Sequence, residues 1–318
     1  MTGGAAVLPN FLIIGAEKAA TTWLARSLAE HPSVFVPPEK ELFFFSSRFD
    51  RGLEWYADHF KAWSGEARVG EATPVYLSHP DAPRRIRDTL GEVDLIVSLR
   101  HPVDRAYSAY WHNLRHGRIA PERGFEGCLA ADAWEIRSRG EYARHLTRYL
   151  AHVPRSRLEV LQYDRIRDDA TAELRRSLEF LGVDPDFRPS TLGARLNEGG
   201  ADLTPATGPV RWVRSVLRSG YLLARRRGLI PAWMERHVVA RADQVARRAA
   251  AIGPAARTYE PLRPTVRADL FDRFYRADAE RLEGMLQLDL SAWTMPARHR
   301  PDLDQSREAL AVGRTRPT

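Results

Sequence analysis

Residues 11–23, Phe-Leu-Ile-Ile-Gly-Ala-Glu-Lys-Ala-Ala-Thr-Thr-Trp, constrain this chain more than any other stretch. Phe11–Ile14 is an unbroken apolar run, the pattern of a strand buried on both faces of a parallel sheet. Gly15 to Ala20 is a turn of small residues holding Glu17 and one lysine, Lys18. Thr21-Thr22 then opens a helix to about Glu30, with Leu24 and Leu28 one turn apart; His31-Pro32 ends it. A strand that turns directly into a helix aims the N–H groups of the turn and the helix start at one point. That is a cradle for an anion.

The rest of the chain repeats this alternation. Val34–Val36, Val69–Glu71, Leu95–Leu99 and Leu158–Tyr163 read as strands. Asp104 to about His116, Ala170–Leu181 and about Thr265–Leu286 read as helices. Alternating strands and helices predict an α/β fold: a parallel sheet flanked by helices, which binds ligands at the carboxyl ends of its strands. The expected layout is a loose tail over 1–9, one domain over 10–296 and a second tail over 297–318. Within the domain, 10–200 form the donor-binding core, 201–258 a helical insert or lid, and 259–296 a helical return. Leu290–Trp293 belongs to that return, with Trp293 as a core anchor.

Charge narrows the ligand. The 318 residues carry 48 basic and 41 acidic side chains, a formal net charge of +7 that favours anionic partners. Only Lys18, Lys40 and Lys61 among the basic residues are lysine. Cys128 is the single cysteine, so no internal disulfide forms. No apolar run approaches the ~18–20 residues that span a bilayer, and no secretory leader is read at the N-terminus; a cytoplasmic protein is expected. No zinc spacing or nucleic-acid-binding signature is read, so no nucleic-acid partner is expected.

The first loop is not a Walker A motif, because Ala19-Ala20 separates Lys18 from Thr21-Thr22. The strand ending at Leu99 gives Arg100 where a metal-binding aspartate would stand. Arg100-His101-Pro102-Val103-Asp104-Arg105-Ala106-Tyr107-Ser108 instead resembles the Arg-x-Pro-x-x-Arg-x-x-Ser segment with which sulfotransferases that use 3′-phosphoadenosine 5′-phosphosulfate (PAPS) hold the 3′-phosphate. Gly15–Thr22 resembles their 5′-phosphosulfate loop. Pro37–Phe45 is similar to the Lys-Glu-x-x-Phe-Phe stretch of the heparan-sulfate and related carbohydrate branch, and Gly70–Tyr76 to its acceptor-cleft segment. The likeness spans roughly residues 10–200 and 259–293 and implies a P-loop-NTPase-like central parallel sheet flanked by helices, with a helical insert or lid.

The resemblance implies roles. Lys18, Ala19, Ala20, Thr21, Thr22 and Trp23 would hold the 5′ end of PAPS, and Arg100 and Ser108 its 3′-phosphate. Lys18 would also stabilise charge on the departing phosphate, and PAP would be the released product. Glu41 would be the general base. Lys40, Glu71, Thr73, Tyr76 and His79 would line the acceptor site, with His79 the alternative base. No metal is required; His112 and His116, one helical turn apart, lack a third ligand and read as solvated. Ala72 stands where the carbohydrate enzymes often have lysine, which points away from a heparin-like acceptor. Asn197 lies where members place an asparagine before a nucleotide-covering loop.

Residues 211–248 carry ten arginines against Glu235 and Asp243. Trp212, Val213, Val216, Leu217 and Tyr221 share one helical face there, an arrangement suited to a core-packed helix, an anionic surface or a lid over an amphiphilic acceptor. The expected acceptor is a hydroxyl of a small molecule, glycoside or lipid, with possible peripheral membrane contact through 211–248. Two other classes stay open at this level: a P-loop-type nucleotide kinase or NTPase, and a non-enzymatic nucleotide- or membrane-surface-binding module.

Overall fold

The computed structural model describes residues 6–193 and 259–294. Asn197, the Arg-rich stretch 211–248 with the rest of the expected insert, most of the N-terminal tail and the whole C-terminal tail lie outside the described residues.

Five strands form one parallel sheet: β1 (Phe11–Gly15), β2 (Val34–Phe35), β3 (Arg68–Ala72), β4 (Asp94–Leu99) and β5 (Leu158–Gln162). Their order is β2-β3-β1-β4-β5. β1 is central, pairing Leu12 with Glu71 of β3 on one side and Leu12 with Leu95 of β4 on the other. The chain runs from β1 out to the edge strand β2, returns inward to β3, then crosses β1 to β4 and β5. The loops after β1 and β4 therefore leave adjacent strand ends in opposite directions, the crevice where open α/β sheets bind ligands.

The helices are α1 (Thr21–Ala29), α2 (Gly52–Ala57), α3 (Ala82–Leu90), α4 (Pro102–Arg115), α5 (Gly124–Ala130), α6 (Tyr142–Leu150), α7 (Tyr163–Asp168), α8 (Ala170–Leu181), α9 (Pro264–Phe274), α10 (Arg276–Leu286) and α11 (Ser291–Thr294). Strand side chains alternate between two cores. Leu12, Ile14, Leu95, Val97 and Leu99 enter one, with α4, α6 and α10; Phe11, Ile13, Ile96 and Leu161 enter the other, with α1 and α8. Burial on both faces explains the unbroken apolar run of β1; each such side chain contributes roughly 1.5–3 kcal/mol.

Two glycines are required by close approach. A Cβ on Gly70 would lie 2.2 Å from the Phe11 ring, and one on Gly15 would lie 2.7 Å from Leu77 Cβ. The single helix expected from Thr265 to Leu286 is two. Tyr275 leaves helical geometry at φ −129°, which separates α9 from α10. Its ring is buried, and its hydroxyl donates to the Arg137 carbonyl at 3.1 Å. The helical return clamps onto the segment after β4. Arg267 donates to both Asp104 oxygens at 2.9 and 3.1 Å, His101 Nε2 pairs with the Trp293 carbonyl at 3.2 Å, and Tyr107 Oη donates to the Glu260 carbonyl. Among the described residues no helix is long and apolar enough to cross a membrane.

Candidate active site

The turn from β1 into α1 is tightly wound. Lys18 and Ala20 sit at φ 70° and 64°, left-handed conformations that cost of order 1 kcal/mol or more for residues other than glycine. Such turns aim neighbouring N–H groups into one concavity. Ala20 is the N-cap of α1 and offers no side-chain cap, so the helix start keeps donors for an anion. Thr21 is buried and Thr22 half-buried.

The two motifs meet across β1 and β4. Ala16 N–H donates to the Ser98 carbonyl at 2.8 Å, and Arg100 Nη1 donates to the Lys18 carbonyl at 3.1 Å. The Arg100 guanidinium also lies over the Tyr163 ring, 4.5 Å from its centroid. Arg100 is thus fixed between the cradle and α7. Ser108 lies on α4, half-buried, two turns from the start of that helix. Arg105, the second arginine of the motif, is fully buried and donates to the Ile136 carbonyl. Its charge helps hold the Glu17 carboxyl below its usual range, together with the Arg139–Glu17 ion pair at 2.8 Å, against the opposing effect of burial.

Cations converge on Lys18. Its pKa is lowered, first by burial, then by the like charges of Arg115 and Lys40; Glu17 and Glu41 oppose the shift. Lys40 donates to Thr22 Oγ1 and lies 3.7 Å from Glu41 Oε1. Burial lowers its pKa too, and Glu41 opposes. Thr22 thereby ties the cradle to the segment that carries Glu41. The Glu41 side chain is 41% exposed. Its backbone is left-handed at φ 64°, and its N–H donates to the Ala72 carbonyl at 3.2 Å.

One face of α4 adjoins the cradle; the sequence reading named its Ser108 but missed His112 and Arg115. Ser108, His112 and Arg115 fall at i, i+4 and i+7 and are all half-buried. His112 has its pKa pushed down to about 3, by burial and then by the charge of Lys18. It therefore faces the cradle as a neutral imidazole rather than standing in solvent. The spacing from Ser108 was the available signal. Arg115 Nε is buried without a partner beside this cluster.

The expected acceptor residues divide. Lys40 stays at the site. Glu71, Thr73 and Tyr76 do not open onto a cleft: they are 2%, 0% and 0% exposed, and their polar atoms bond to one another. Ala72 is also buried, so it presents no surface to an acceptor. His79 accepts from Asp81 N–H through Nδ1 at 3.3 Å. That fixes the proton on Nε2, and burial lowers its pKa, so the ring is poorly set to receive a proton. Trp23 packs in the core. Among the described residues no group of three or more His, Cys, Asp or Glu could hold a metal ion.

An open helix start, converging cations and the half-exposed Glu41 carboxylate thus lie together at the crevice of a parallel sheet, the place where open α/β folds bind ligands. The match to the sulfotransferase domain covers residues 8–192, more than half of the sequence, and the chain belongs to the PAPS-dependent sulfotransferase family, enzymes of the sulfotransferase class. The membrane-associated sulfotransferase kil1 of Dictyostelium discoideum is 38% identical over 133 residues, 40% of this chain and 28% of that protein. Mouse heparan sulfate glucosamine 3-O-sulfotransferase 3B1 is 33% identical over 187 residues, 57% of this chain and 47% of that protein. The chain spans less than half the length of these relatives. A sulfotransferase from Alicyclobacillus acidocaldarius superposes with a TM-score of 0.65 at 26% identity, covering 91% of this chain and 100% of that one. Family membership sets aside the kinase and the non-catalytic binding module.

Proposed function

We propose that the chain transfers a sulfuryl group from PAPS to a hydroxyl of a small-molecule, glycoside or lipid acceptor, with Glu41 as general base. The observation that carries this reading is the convergence on Lys18. Lys18 shares its surroundings with Arg115 and Lys40 and with two carboxylates, of which Glu17 is tied up by Arg139 and Glu41 is half-exposed, while Arg100 is bonded to the Lys18 carbonyl.

The residues present fit the donor. It carries two separated anionic groups, and the protein offers two cation sets: the cradle with Lys18, and Arg100 with Ser108. The orphaned buried Arg115 Nε is a further donor beside the first. The cradle N–H groups, Thr21 and Thr22 would hold the 5′-phosphate. A fixed guanidinium suits the 3′-phosphate and selects against nucleotides lacking it.

Transfer of this kind is in-line and depends on positioning and charge stabilisation. The acceptor oxygen bonds to sulfur as the sulfur–oxygen bond to the 5′-phosphate breaks. Glu41 takes the acceptor proton, a role worth ~10²–10⁴-fold in rate. Lys18 meets the charge appearing on the phosphate oxygen, and neutral His112 is placed to donate a hydrogen bond beside it. Lys40, held between Thr22 and Glu41, keeps the base next to the donor loop.

The test is transfer of labelled sulfate from PAPS to a panel of hydroxylated metabolites, glycosides and lipids, read by mass spectrometry. Sulfated product is expected with the wild type and not with Lys18→Ala. Tight PAP binding with no transfer to any member, or to water, would overturn the reading.

A further inference from the structure

Glu71, the penultimate residue of β3, has its carboxylate inside the protein, 2% exposed. Three hydroxyls point at it. Tyr76 Oη donates to Oε1 at 2.7 Å, Tyr56 Oη of α2 to Oε1 at 3.3 Å, and Thr73 Oγ1 to Oε2 at 2.7 Å. Two of these oxygens have a second task. Thr73 Oγ1 accepts from the Phe43 N–H at 3.4 Å, and Tyr76 Oη accepts from the Phe45 N–H at 3.4 Å. The segment Glu41–Phe45 belongs to no helix or strand, and Glu41 and Phe43 are both left-handed, at φ 64° and 57°. Such a segment keeps its shape only if its surroundings over-determine it.

A hydroxyl has one proton. While that proton is committed to Glu71, the lone pairs of Thr73 and Tyr76 are free to face the amides of the segment. Take the carboxylate away and each proton seeks another acceptor; the oxygen then no longer presents a fixed lone pair to the N–H above it. We propose that Glu71 is a positioning residue, which sets the candidate base Glu41 by orienting the Thr73 and Tyr76 hydroxyls as acceptors for the segment that carries it. This rests on the reading of Glu41 as base.

The protonation state of Glu71 matters to the same geometry. Its pKa is raised to about 7, by burial and, in lesser part, by the Glu41 carboxylate; the three hydroxyl bonds pull the other way. The groups that face it are Tyr56 from α2, Thr73 and Tyr76 from the turn after β3, Glu41 from the loop, and Tyr149 from α6, whose own pKa is raised in part by Glu71. A protonated carboxyl must itself donate from one oxygen. One hydroxyl then becomes an acceptor from Glu71 and turns its own proton outward. The segment is therefore held best above about pH 7 and loosens below it.

Hydrogen exchange of the amides of residues 41–45, corrected for intrinsic rates, tests this at pH 6 and pH 8 without an acceptor. Wild type is expected to lose about five- to tenfold protection on going to pH 6, the scale of one hydrogen bond released locally. Glu71→Gln should show the lowered protection at both pH values, with the amides of β1 and β4 unchanged. Thr73→Val should reproduce the loss at Phe43, and Thr73→Ser should restore it. Release of labelled sulfate from PAPS to water adds the catalytic readout: Glu71→Gln should lower kcat by a similar factor and leave KM for PAPS alone. Wild-type protection of 41–45 in Glu71→Gln would overturn the proposal. So would a fall in melting temperature with kcat and protection unchanged. Full activity in Glu41→Gln with Glu71→Gln still loosening the segment would instead remove the assignment of the base.

Discussion

Replacing Arg100 by alanine separates the two jobs its side chain performs. The guanidinium is charged, half-buried and fixed by the Lys18 carbonyl at 3.1 Å and by the Tyr163 ring at 4.5 Å. Loss of its contact with a 3′-phosphate removes a charge-assisted hydrogen bond, worth about 1.5–3 kcal/mol, or roughly 10- to 150-fold in affinity. Loss of the bond to Lys18 relaxes the cradle, at about 1 kcal/mol or roughly fivefold. The second effect falls on any 5′-nucleotide; the first falls only on one that carries a 3′-phosphate. Calorimetric titration of Arg100→Ala should therefore show PAP weakened about 10- to 150-fold more than adenosine 5′-phosphate, which itself weakens by roughly fivefold. The two titrations must share one ionic strength, because screening alters both. Equal losses for the two ligands would refute the reasoning and reduce Arg100 to a brace for the loop.

Glu41→Gln keeps shape and removes basicity: turnover should fall ~10²–10⁴-fold in a labelled-sulfate assay, with PAP affinity by calorimetry within about twofold. Gly70→Ala would put a Cβ 2.2 Å from the buried Phe11 ring in the central strand pair. Urea unfolding should show a loss of about 1–3 kcal/mol or more, and an unchanged midpoint would mean that β1 and β3 are not packed as described. Burial raises the Glu71 pKa to about 7 in the folded state, so its stabilising contribution is complete below the unfolded value near 4.5 and disappears as pH rises through about 7. Glu71→Gln should gain up to about 3 kcal/mol on wild type between pH 5 and pH 8 in urea titrations, and a difference independent of pH would refute the shift. The comparison between variants matters because buried His101 and His145, whose pKa values are both lowered to about 4, shift stability in the opposite sense in both proteins.

The strands were legible because a parallel strand covered on both faces leaves an apolar run that a short window can read. That held for β1, β4 and β5, and for the helices α1, α4 and α8. The break between α9 and α10 was not legible, since Tyr275 fits a helical pattern and leaves it only to bury its ring. The cradle and Arg100 were visible as local patterns at strand ends. The fate of Glu71, Thr73 and Tyr76 was not. Polar residues in a motif read as cleft lining until their partners are known, and one of those partners, Tyr56, comes from a different helix. His112 failed for the converse reason. Taken with His116 it resembled half of a metal site; only the packing of α4 against the loop after β1 shows that it belongs with Ser108 and Arg115.

Among the places where non-glycine residues turn left-handed, two lie beside the site and face each other. Lys18 and Ala20 are left-handed on one side, Glu41 and Phe43 on the other, and neither segment contains a glycine at those positions. Alanine-rich loops do not choose such conformations; each is imposed by what surrounds it. On the first side the imposing contacts are Arg100 on the Lys18 carbonyl and Ser98 on the Ala16 amide; on the second they are the Ala72 carbonyl and the hydroxyls aimed at Glu71. All of these originate on β3, on β4 or immediately after them. The sheet is therefore the device that holds both loops in strained shapes, with β1 between them. Cations accumulate in the gap. Lys18 and Lys40 repel each other there, and Arg115 adds to the repulsion at Lys18. On the proposed reading a polyanionic nucleotide relieves that repulsion where the loop geometry has already been fixed, so little of its binding energy goes to ordering the protein. Without such a ligand the like charges at Lys18 are offset only in part by Glu17 and Glu41, which leaves room for the negative charge that the proposed donor would supply.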